Sequence, residues 1–306
     1  MEEIFYPSSD GQNTVHACIW RPVGNVAGVV QIVHGMAEYA ARYAPFAEYL
    51  CSKGFVVCAE DHLGHGKTAA EKEDLGYFCG GDGSELVLSD IRALNRRICA
   101  EYPDVPCIML GHSMGSFFCR TYISRYGGEL AGAVIMGTGF QPAAVTAFGK
   151  AVVRCIALFC GWRHRSRLVN ALAFGSYNKK CAGDTPFDWL SADRGNVQRY
   201  IADPLCGVTF TCSGFLTLFS ILGKACSVKA VTGVPRDLPL LLVAGADDPV
   251  GGYGGGVKKL YNKFLASGAT DAEVILYEGC RHEILNDVCA EKVYSDILSF
   301  LTDICG

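Results

Sequence analysis

The pentapeptide Gly111-His-Ser-Met-Gly115 constrains the fold of this chain more than any other stretch. The apolar residues 107–110 precede it, and a helix-compatible segment, residues 116–126, follows it. Gly-x-Ser-x-Gly between a buried strand and a helix is typical of a sharp turn that exposes the serine hydroxyl. Glycine is needed on both sides of the serine because the neighbouring chain passes closely there. The pattern predicts that Ser113 is a nucleophile on such a turn.

Apolar runs alternate with helix-compatible segments through the first half of the chain. The runs carry little polar alternation, which is typical of strands buried on both faces of a parallel sheet. The predicted strands are residues 15–20, 29–33, 55–59, 107–110 and 133–136, and the predicted helices are residues 41–52, 85–102 and 116–126. Such alternation predicts an α/β fold with a doubly wound, mostly parallel sheet.

The alternation stops after Gly139 and resumes near Pro235. A strand at 238–245, a helix at 257–267, a strand at 273–277 and a helix at 290–304 are predicted beyond that point. We therefore predict a core of residues 1–139 and 235–306 and an inserted helical cap of residues 140–234. The cap's apolar stretches, 147–162 and 205–220, are shorter than the roughly 20 residues of a membrane span and are predicted to be cap helices.

Composition excludes several classes of function. A net charge of −4 over 306 residues, with no basic tract, argues against nucleic-acid binding. The acidic N-terminus lacks the positive start and the apolar stretch of a signal peptide, so a cytoplasmic location is expected.

The 16 cysteines are scattered through apolar runs without any Cys-x-x-Cys pair. They are expected to be reduced core residues and not a disulfide framework. Cys280 lies two residues before His282, so a bulky thiol reagent at Cys280 is expected to inhibit the protein.

A serine nucleophile needs a histidine base, and the histidine needs an acid to orient it. Only His164 and His282 follow Ser113 in the chain, and His164 lies among arginines that disfavour a base. His282 is therefore predicted as the base. Asp247 and Asp248 follow the strand at 238–245, and the proline after Asp248 favours Asp248, with Asp247 as the alternative.

The backbone N–H groups of Met36 and Met114 are predicted to form an oxyanion hole. Met114 follows the nucleophile, and Met36 lies in a turn after an early strand.

No cofactor or metal is expected. His62 and His65 have no obvious third ligand for a metal, and the glycine-rich residues 251–256 lack the Gly-Lys-Ser/Thr end of a phosphate loop.

These pieces together resemble the α/β-hydrolase superfamily, and within it the monoacylglycerol lipase and lysophospholipase branch, which is often labelled serine aminopeptidase-like. The resemblance covers nearly the whole chain. It rests on His34-Gly-Met-Ala-Glu38 with Arg42-Tyr43, Asp61 with Gly64-His-Gly66, Gly111-His-Ser-Met-Gly115, Gly245 with Asp248, and His282. It implies Ser113 as nucleophile, Asp248 as acid, His282 as base, and Met36 and Met114 as oxyanion donors.

The first functional hypothesis is a serine hydrolase that cleaves a monoacylglycerol- or lysophospholipid-like ester through an acyl-enzyme. One alternative is a serine aminopeptidase acting on small or proline-containing peptides, for which Asp184, Asp188 or Asp193 of the cap would hold the substrate amine. The other is a non-catalytic binding module on the same fold. The expected partner is a small acyl ester, without nucleic acid or an obligate protein partner. The apolar cap, with Arg163, Arg165 and Arg167 beside its first helix, suggests transient contact with a membrane surface.

Overall fold

Eight strands form one sheet in the order β1-β2-β4-β3-β5-β6-β7-β8. The structure is a computed structural model that describes residues 1–306. The strands are β1 (Glu2–Pro7), β2 (Thr14–Trp20), β3 (Gly28–Val33), β4 (Phe55–Glu60), β5 (Cys107–His112), β6 (Gly132–Met136), β7 (Leu240–Gly245) and β8 (Ala272–Tyr277). From β4 to β8 every neighbouring pair is parallel, whereas β2 pairs antiparallel with both β1 and β4. The predicted mostly parallel sheet is confirmed.

The buried strands were the easiest elements to predict. Seven predicted strands agree with β2 to β8 within two residues at each end, because these strands are continuous apolar runs. β1 was missed. It is an edge strand with two acidic residues and a mostly exposed surface, so it carries no apolar run.

Helices cover both faces of the sheet. On one face α1 (Ala44–Cys51) and α10 (Ala290–Cys305) pack against one set of alternate strand residues. On the other face lie α2 (Ser84–Glu101), α3 (Met114–Tyr126) and α9 (Gly255–Ala266). Each helix buries an apolar stripe, such as Leu88, Ile91 and Leu94 of α2, and the two layers enclose the sheet.

Between β6 and β7 the chain forms the helices of the cap. They are α4 (Ala143–Cys160), α5 (Arg167–Phe174), α6 (Arg194–Ala202), α7 (Cys212–Ala225) and α8 (Val228–Thr232). α4 and α7 correspond to the two predicted apolar stretches, but residues 205–211 are not helical and α7 begins only at Cys212. The helical insertion agrees with the predicted architecture, and its limits at residues 140 and 234 stay predictions.

α7 is the central helix of the cap, because it is buried between α3 of the core and α4. α4 covers α7 and exposes much of its own apolar surface, including Phe148 and Leu158. By length and composition alone, the 18 residues of α4 would suffice to cross a membrane, and 17% of the helix is buried.

Candidate active site

Ser113 lies at a sharp turn between β5 and α3. Its φ of 53° and ψ of −118° form a strained conformation for a residue other than glycine. A Cβ atom added to Gly111 would lie 2.5 Å from the Gly115 carbonyl oxygen, and one added to Gly115 would overlap the Val33 carbonyl of β3. Gly111 therefore allows β5, and Gly115 allows β3, to approach α3 closely, and the turn directs the Ser113 hydroxyl into a cavity beneath the cap.

The structure brings the three predicted side chains together. The Ser113 hydroxyl oxygen lies 2.8 Å from His282 Nε2, and His282 Nδ1 lies 2.9 Å from Asp248 Oδ2. Asp248 is fully buried at the carboxyl end of β7, and His282 lies in the loop after β8. Both elements end at the same edge of the sheet as β5, so three distant parts of the sequence meet there.

The two adjacent aspartates have different environments. Asp248 Oδ1 accepts the backbone N–H of Val250 at 2.8 Å, so one carboxylate oxygen is held by the turn while the other contacts His282. Asp247 is exposed, and its backbone N–H donates to the Cys280 carbonyl. The local geometry therefore favours Asp248 over Asp247 as the partner of His282.

Met36 and Met114 both line the cavity beside Ser113. Met114 is the first residue of α3, where a helix leaves backbone N–H groups without an intrahelical partner. The N–H of Met36 makes no hydrogen bond within the chain. Both donors are thus free to bind an oxygen atom of a molecule in the cavity.

The cavity has a volume of about 820 Å³ and is lined by core and cap residues, 22 of its 38 lining residues being hydrophobic. The predicted amine-binding aspartates do not line it. Asp188 accepts the N–H of Thr185, Asp193 caps α6, and Asp184 is exposed. The carboxylates that do line the cavity are Glu38 and Glu283.

Arg42 binds both of these carboxylates. Its guanidinium contacts Glu283 through two hydrogen bonds at 2.8 and 2.9 Å and Glu38 through one at 2.9 Å. Burial lowers the pKa of Arg42, but the charge and hydrogen bonds of Glu283 outweigh that effect and raise it well above its usual value. A bound amine would therefore have to compete with a buried arginine for each carboxylate.

A buried polar network behind His282 had no role assigned from the sequence. Glu38 Oε1 accepts the N–H of Gly35 at 2.7 Å and the hydroxyl of Tyr43 at 2.8 Å, and it contacts His112 Nδ1 at 3.0 Å. His112 Nε2 lies 3.3 Å from the His282 carbonyl oxygen. The network therefore joins the turn that carries Met36 to the backbone of His282.

Charge stabilises the contact between Glu38 and His112. Burial raises the pKa of Glu38, but the hydrogen bond and charge of His112 outweigh it and hold the pKa below its usual value. Burial lowers the pKa of His112, and the hydrogen bond and charge of Glu38 more than reverse this. Glu38 and Tyr43 stand in stretches on which the family resemblance rests, and that was the signal available for them in the sequence.

His62 and His65 form a buried cluster with His34, whose ring stacks on that of His62 at 3.9 Å. His34 Nε2 accepts the backbone N–H of His62 at 3.0 Å, and His65 Nε2 accepts that of Ala37 at 3.3 Å. The imidazoles thus hold the turn after β4 against the turn that contains Met36.

The expectation that all cysteines are reduced is wrong for one pair. Cys280 and Cys289 are joined by a disulfide, with their Cα atoms 6.4 Å apart. The bond closes the loop that carries His282, and Cys280 is fully buried. The expected inhibition through Cys280 is therefore also wrong, because its sulfur is neither free nor accessible. The cytoplasmic location stays a prediction.

The sheet order, the turn at Ser113 and the helical cap define an α/β hydrolase. The crystal structure of a thermostable carboxyl esterase from Bacillus coagulans superimposes with a TM-score of 0.92 at 29% identity, over 100% of this chain and 99% of that one. The predicted superfamily is confirmed.

Sequence comparison gives the family within that class. The family described as serine aminopeptidase, S33, matches residues 24–288. A monoacylglycerol lipase of Mycolicibacterium smegmatis is 30% identical over 286 residues, which are 92% of this chain and 91% of that protein. The human monoglyceride lipase is 25% identical, over 90% of this chain and 81% of its own length. The chain belongs to the serine aminopeptidase S33 family and is a hydrolase of the monoacylglycerol lipase-like branch.

Proposed function

We propose that this chain hydrolyses monoacylglycerol- or lysophospholipid-like esters with Ser113 as nucleophile, His282 as base and Asp248 as the acid that orients His282. Its lipase and esterase relatives make it an ester-hydrolysing enzyme. The observation that carries the assignment of residues is the continuous chain of contacts from Ser113 through His282 to Asp248, at the floor of a largely apolar cavity.

The proposed reaction follows from these contacts. His282 Nε2 takes the proton of the Ser113 hydroxyl as the oxygen attacks the ester carbonyl, and Asp248 stabilises the imidazolium that forms. The N–H groups of Met36 and Met114 bind the developing oxyanion, and loss of one such donor typically costs about 100- to 1,000-fold in kcat. His282 then protonates the leaving alcohol, and a water activated by His282 releases the fatty acid from Ser113.

The peptidase alternative is less well supported by the cavity. An aminopeptidase needs a carboxylate that is available to the substrate amine. Glu38 and Glu283 are the carboxylates at the cavity wall, and Arg42 binds both. The apolar lining matches an acyl chain, whose burial contributes about 0.8 kcal/mol per methylene.

Labelling with a fluorophosphonate probe tests the nucleophile. We expect stoichiometric labelling at Ser113, and none in Ser113→Ala, with ester hydrolysis reduced about 10⁴- to 10⁶-fold. Ser176→Ala is the matched control, because Ser176 also lines the cavity but does not contact His282. Retention of more than about a tenth of the activity in Ser113→Ala would refute the assignment.

We also propose that the cap contacts lipid surfaces through the exposed side chains of α4. Phe159 is 82% and Leu158 79% exposed, and both lie on the helix that covers the cavity. Two of the three predicted arginines have other partners: Arg163 pairs with Asp74, and Arg165 donates to the Leu75 carbonyl. The proposed contact therefore rests on the apolar side chains of α4 and not on Arg163 or Arg165.

Co-sedimentation with neutral phosphatidylcholine vesicles tests this contact. Phe159→Ser is expected to weaken binding, whereas Phe5→Ser, the same change at an exposed aromatic residue of β1, leaves it unchanged. Equal binding by wild type and Phe159→Ser would contradict the proposal.

A further inference from the structure

The loop that carries His282 is fastened to a segment of the cap. We call residues 280–287 the histidine loop and residues 188–193 the cap segment. The N–H of Glu283 donates to the Leu190 carbonyl at 2.7 Å, and Arg281 Nη1 donates to the Ser191 carbonyl at 3.1 Å. The Trp189 ring lies 5.1 Å from the His282 ring. The cap segment is thus a wall of the catalytic site as well as part of a cover.

Asp287 joins the histidine loop to the cap segment through its buried carboxylate, which is 5% exposed. Oδ2 accepts the N–H of Arg281 at 2.7 Å. Oδ1 accepts the N–H groups of Ala192 at 2.8 Å and Asp193 at 3.2 Å, as well as that of Val288 at 2.8 Å. One oxygen therefore holds the histidine loop while the other holds the cap segment.

These contacts fix the backbone on both sides of His282. Arg281 is held by Asp287, and Glu283 is held by Leu190 of the cap segment. His282 itself lies outside any strand or helix, and the only regular structure in the histidine loop is one 3-10 turn at Ile284–Asn286, so no ladder of backbone hydrogen bonds positions His282. Asp248 orients the His282 ring through Nδ1. The ring also reaches Ser113 only if the backbone of His282 is held at the correct distance from Ser113.

We propose that Asp287 is a positioning residue, whose carboxylate couples the cap segment to the histidine loop and so holds His282 in line with Ser113 and Asp248. The inference rests on the proposed function, because it assigns Asp287 a part in that reaction. Hydrogen bonds to a charged, buried acceptor are stronger than neutral ones, so one carboxylate suffices to hold both segments. A displacement of about 1 Å at a catalytic group can cost about 100-fold in rate.

The simpler alternative is that Asp287 only starts α10. Its carbonyl accepts the N–H of Ala290, the first residue of that helix, and its side chain accepts that of Val288. A role confined to the helix would change stability and the fraction of active enzyme. It would leave the rate constant of each active molecule unchanged.

Two variants and one control separate these roles. Asp287→Ala removes all four contacts, and Asp287→Asn keeps one oxygen that can still accept from one of the two segments. Asp203→Ala is the control, because it removes a cap carboxylate that accepts the hydroxyl of Tyr39 and the N–H of Leu205 and that touches neither the histidine loop nor the cap segment. kcat and KM are measured with p-nitrophenyl butyrate. kcat is calculated per active site, with the number of active sites taken from complete titration with a fluorophosphonate.

We expect kcat per titrated site to fall up to about 100-fold in Asp287→Ala and less in Asp287→Asn, with KM within about twofold. Asp203→Ala should keep the wild-type rate. An unchanged kcat per site in Asp287→Ala, or a change confined to KM, overturns the proposal. If Asp287→Ala does not fold, an unchanged kcat per site in Asp287→Asn overturns it instead.

Amide hydrogen exchange provides a readout that does not depend on hydrolysis. In Asp287→Ala the N–H groups of Arg281 and Ala192 should exchange faster, because both lose their acceptor, while Asp203→Ala leaves them protected. Unchanged protection in Asp287→Ala contradicts the coupling. Absence of fluorophosphonate labelling in the wild type would instead refute the proposed function, whatever the exchange at Arg281 shows.

Discussion

Asp247 and Asp248 are neighbours in the chain with opposite environments, one exposed and the other fully buried against His282. From the sequence, two adjacent carboxylates after a strand could not be separated by spacing, and only the proline and the family resemblance favoured Asp248. The difference arises because Asp248 is held by the turn through Val250 while Asp247 points to solvent.

The pair provides an internally controlled test of the proposed acid. Asp248→Asn should lower kcat about 10⁴-fold, because the amide no longer fixes the tautomer of His282. Asp247→Asn, the same change one residue earlier, should leave kcat close to that of the wild type. Steady-state kinetics on a soluble ester decides between them, and the reverse order would transfer the role to Asp247.

The disulfide was the main residue-level feature that the sequence did not predict. Cys280 and Cys289 are nine residues apart, and no Cys-x-x-Cys spacing marks them among the 16 cysteines. Their proximity depends on how the loop after β8 folds back towards α10, which spacing alone does not reveal.

Alkylation of the unfolded protein tests this bond. In denaturant without reductant, iodoacetamide should modify 14 of the 16 cysteines and leave Cys280 and Cys289 unmodified. After reduction all 16 should react, and peptide mass spectrometry identifies the two sites. Modification of Cys280 without reductant would show that the bond is absent.

Elements with a run of mostly apolar residues or with apolar residues at helical spacing were predictable, and elements without such a pattern were missed. β2 to β8 were found because each carries mostly apolar residues, including the half-buried edge strand β8, whereas the edge strand β1 is acidic and exposed. In the cap, α4 and α7 were recognised by their apolar length, but α5, α6 and α8 are short and mixed in character. Their positions depend on tertiary packing against the rest of the cap.

The turns after β3 and β4 are joined by uncharged histidines, which makes this part of the fold sensitive to acid. Burial lowers the pKa of both His62 and His65 to about 4. In the unfolded chain these groups bind protons near pH 6.5. The unfolded state therefore binds more protons between these values, and stability is lost as the pH falls from about 6.5 to about 4.

His65→Gln should reduce this pH dependence, because glutamine can still accept the N–H of Ala37 but does not titrate. For one histidine with these values, the free energy of unfolding should fall by about 2 kcal/mol between about pH 7 and about pH 5. Urea unfolding at the two pH values should show a decrease smaller by about that amount in His65→Gln. An equal decrease in both proteins would contradict the assignment of the acid effect to His65.

In the whole molecule, the core provides the proposed reacting groups and the cap provides most of the apolar wall of the cavity. The proposed reacting groups could be predicted from short motifs at strand ends, because each motif depends only on residues that are close together in the chain. The sequence did not identify which residues form the wall of the cavity, because that wall combines residues of α4, α5 and α7 with loops far apart in the chain. The same separation explains why the contacts between Asp287 and the cap segment could not be read from spacing.

We propose above all that this enzyme cleaves esters whose acyl chain lies in the cavity above Ser113. The most direct measurement is kcat/KM for p-nitrophenyl esters from acetate to palmitate, kept below micelle formation, beside a set of aminoacyl amides and with Ser113→Ala as background. We predict a rise of about threefold to fourfold per added methylene until the cavity is full, from about 0.8 kcal/mol for each methylene buried. An efficiency that is highest for acetate, with the amides cleaved as well or better, would contradict the account.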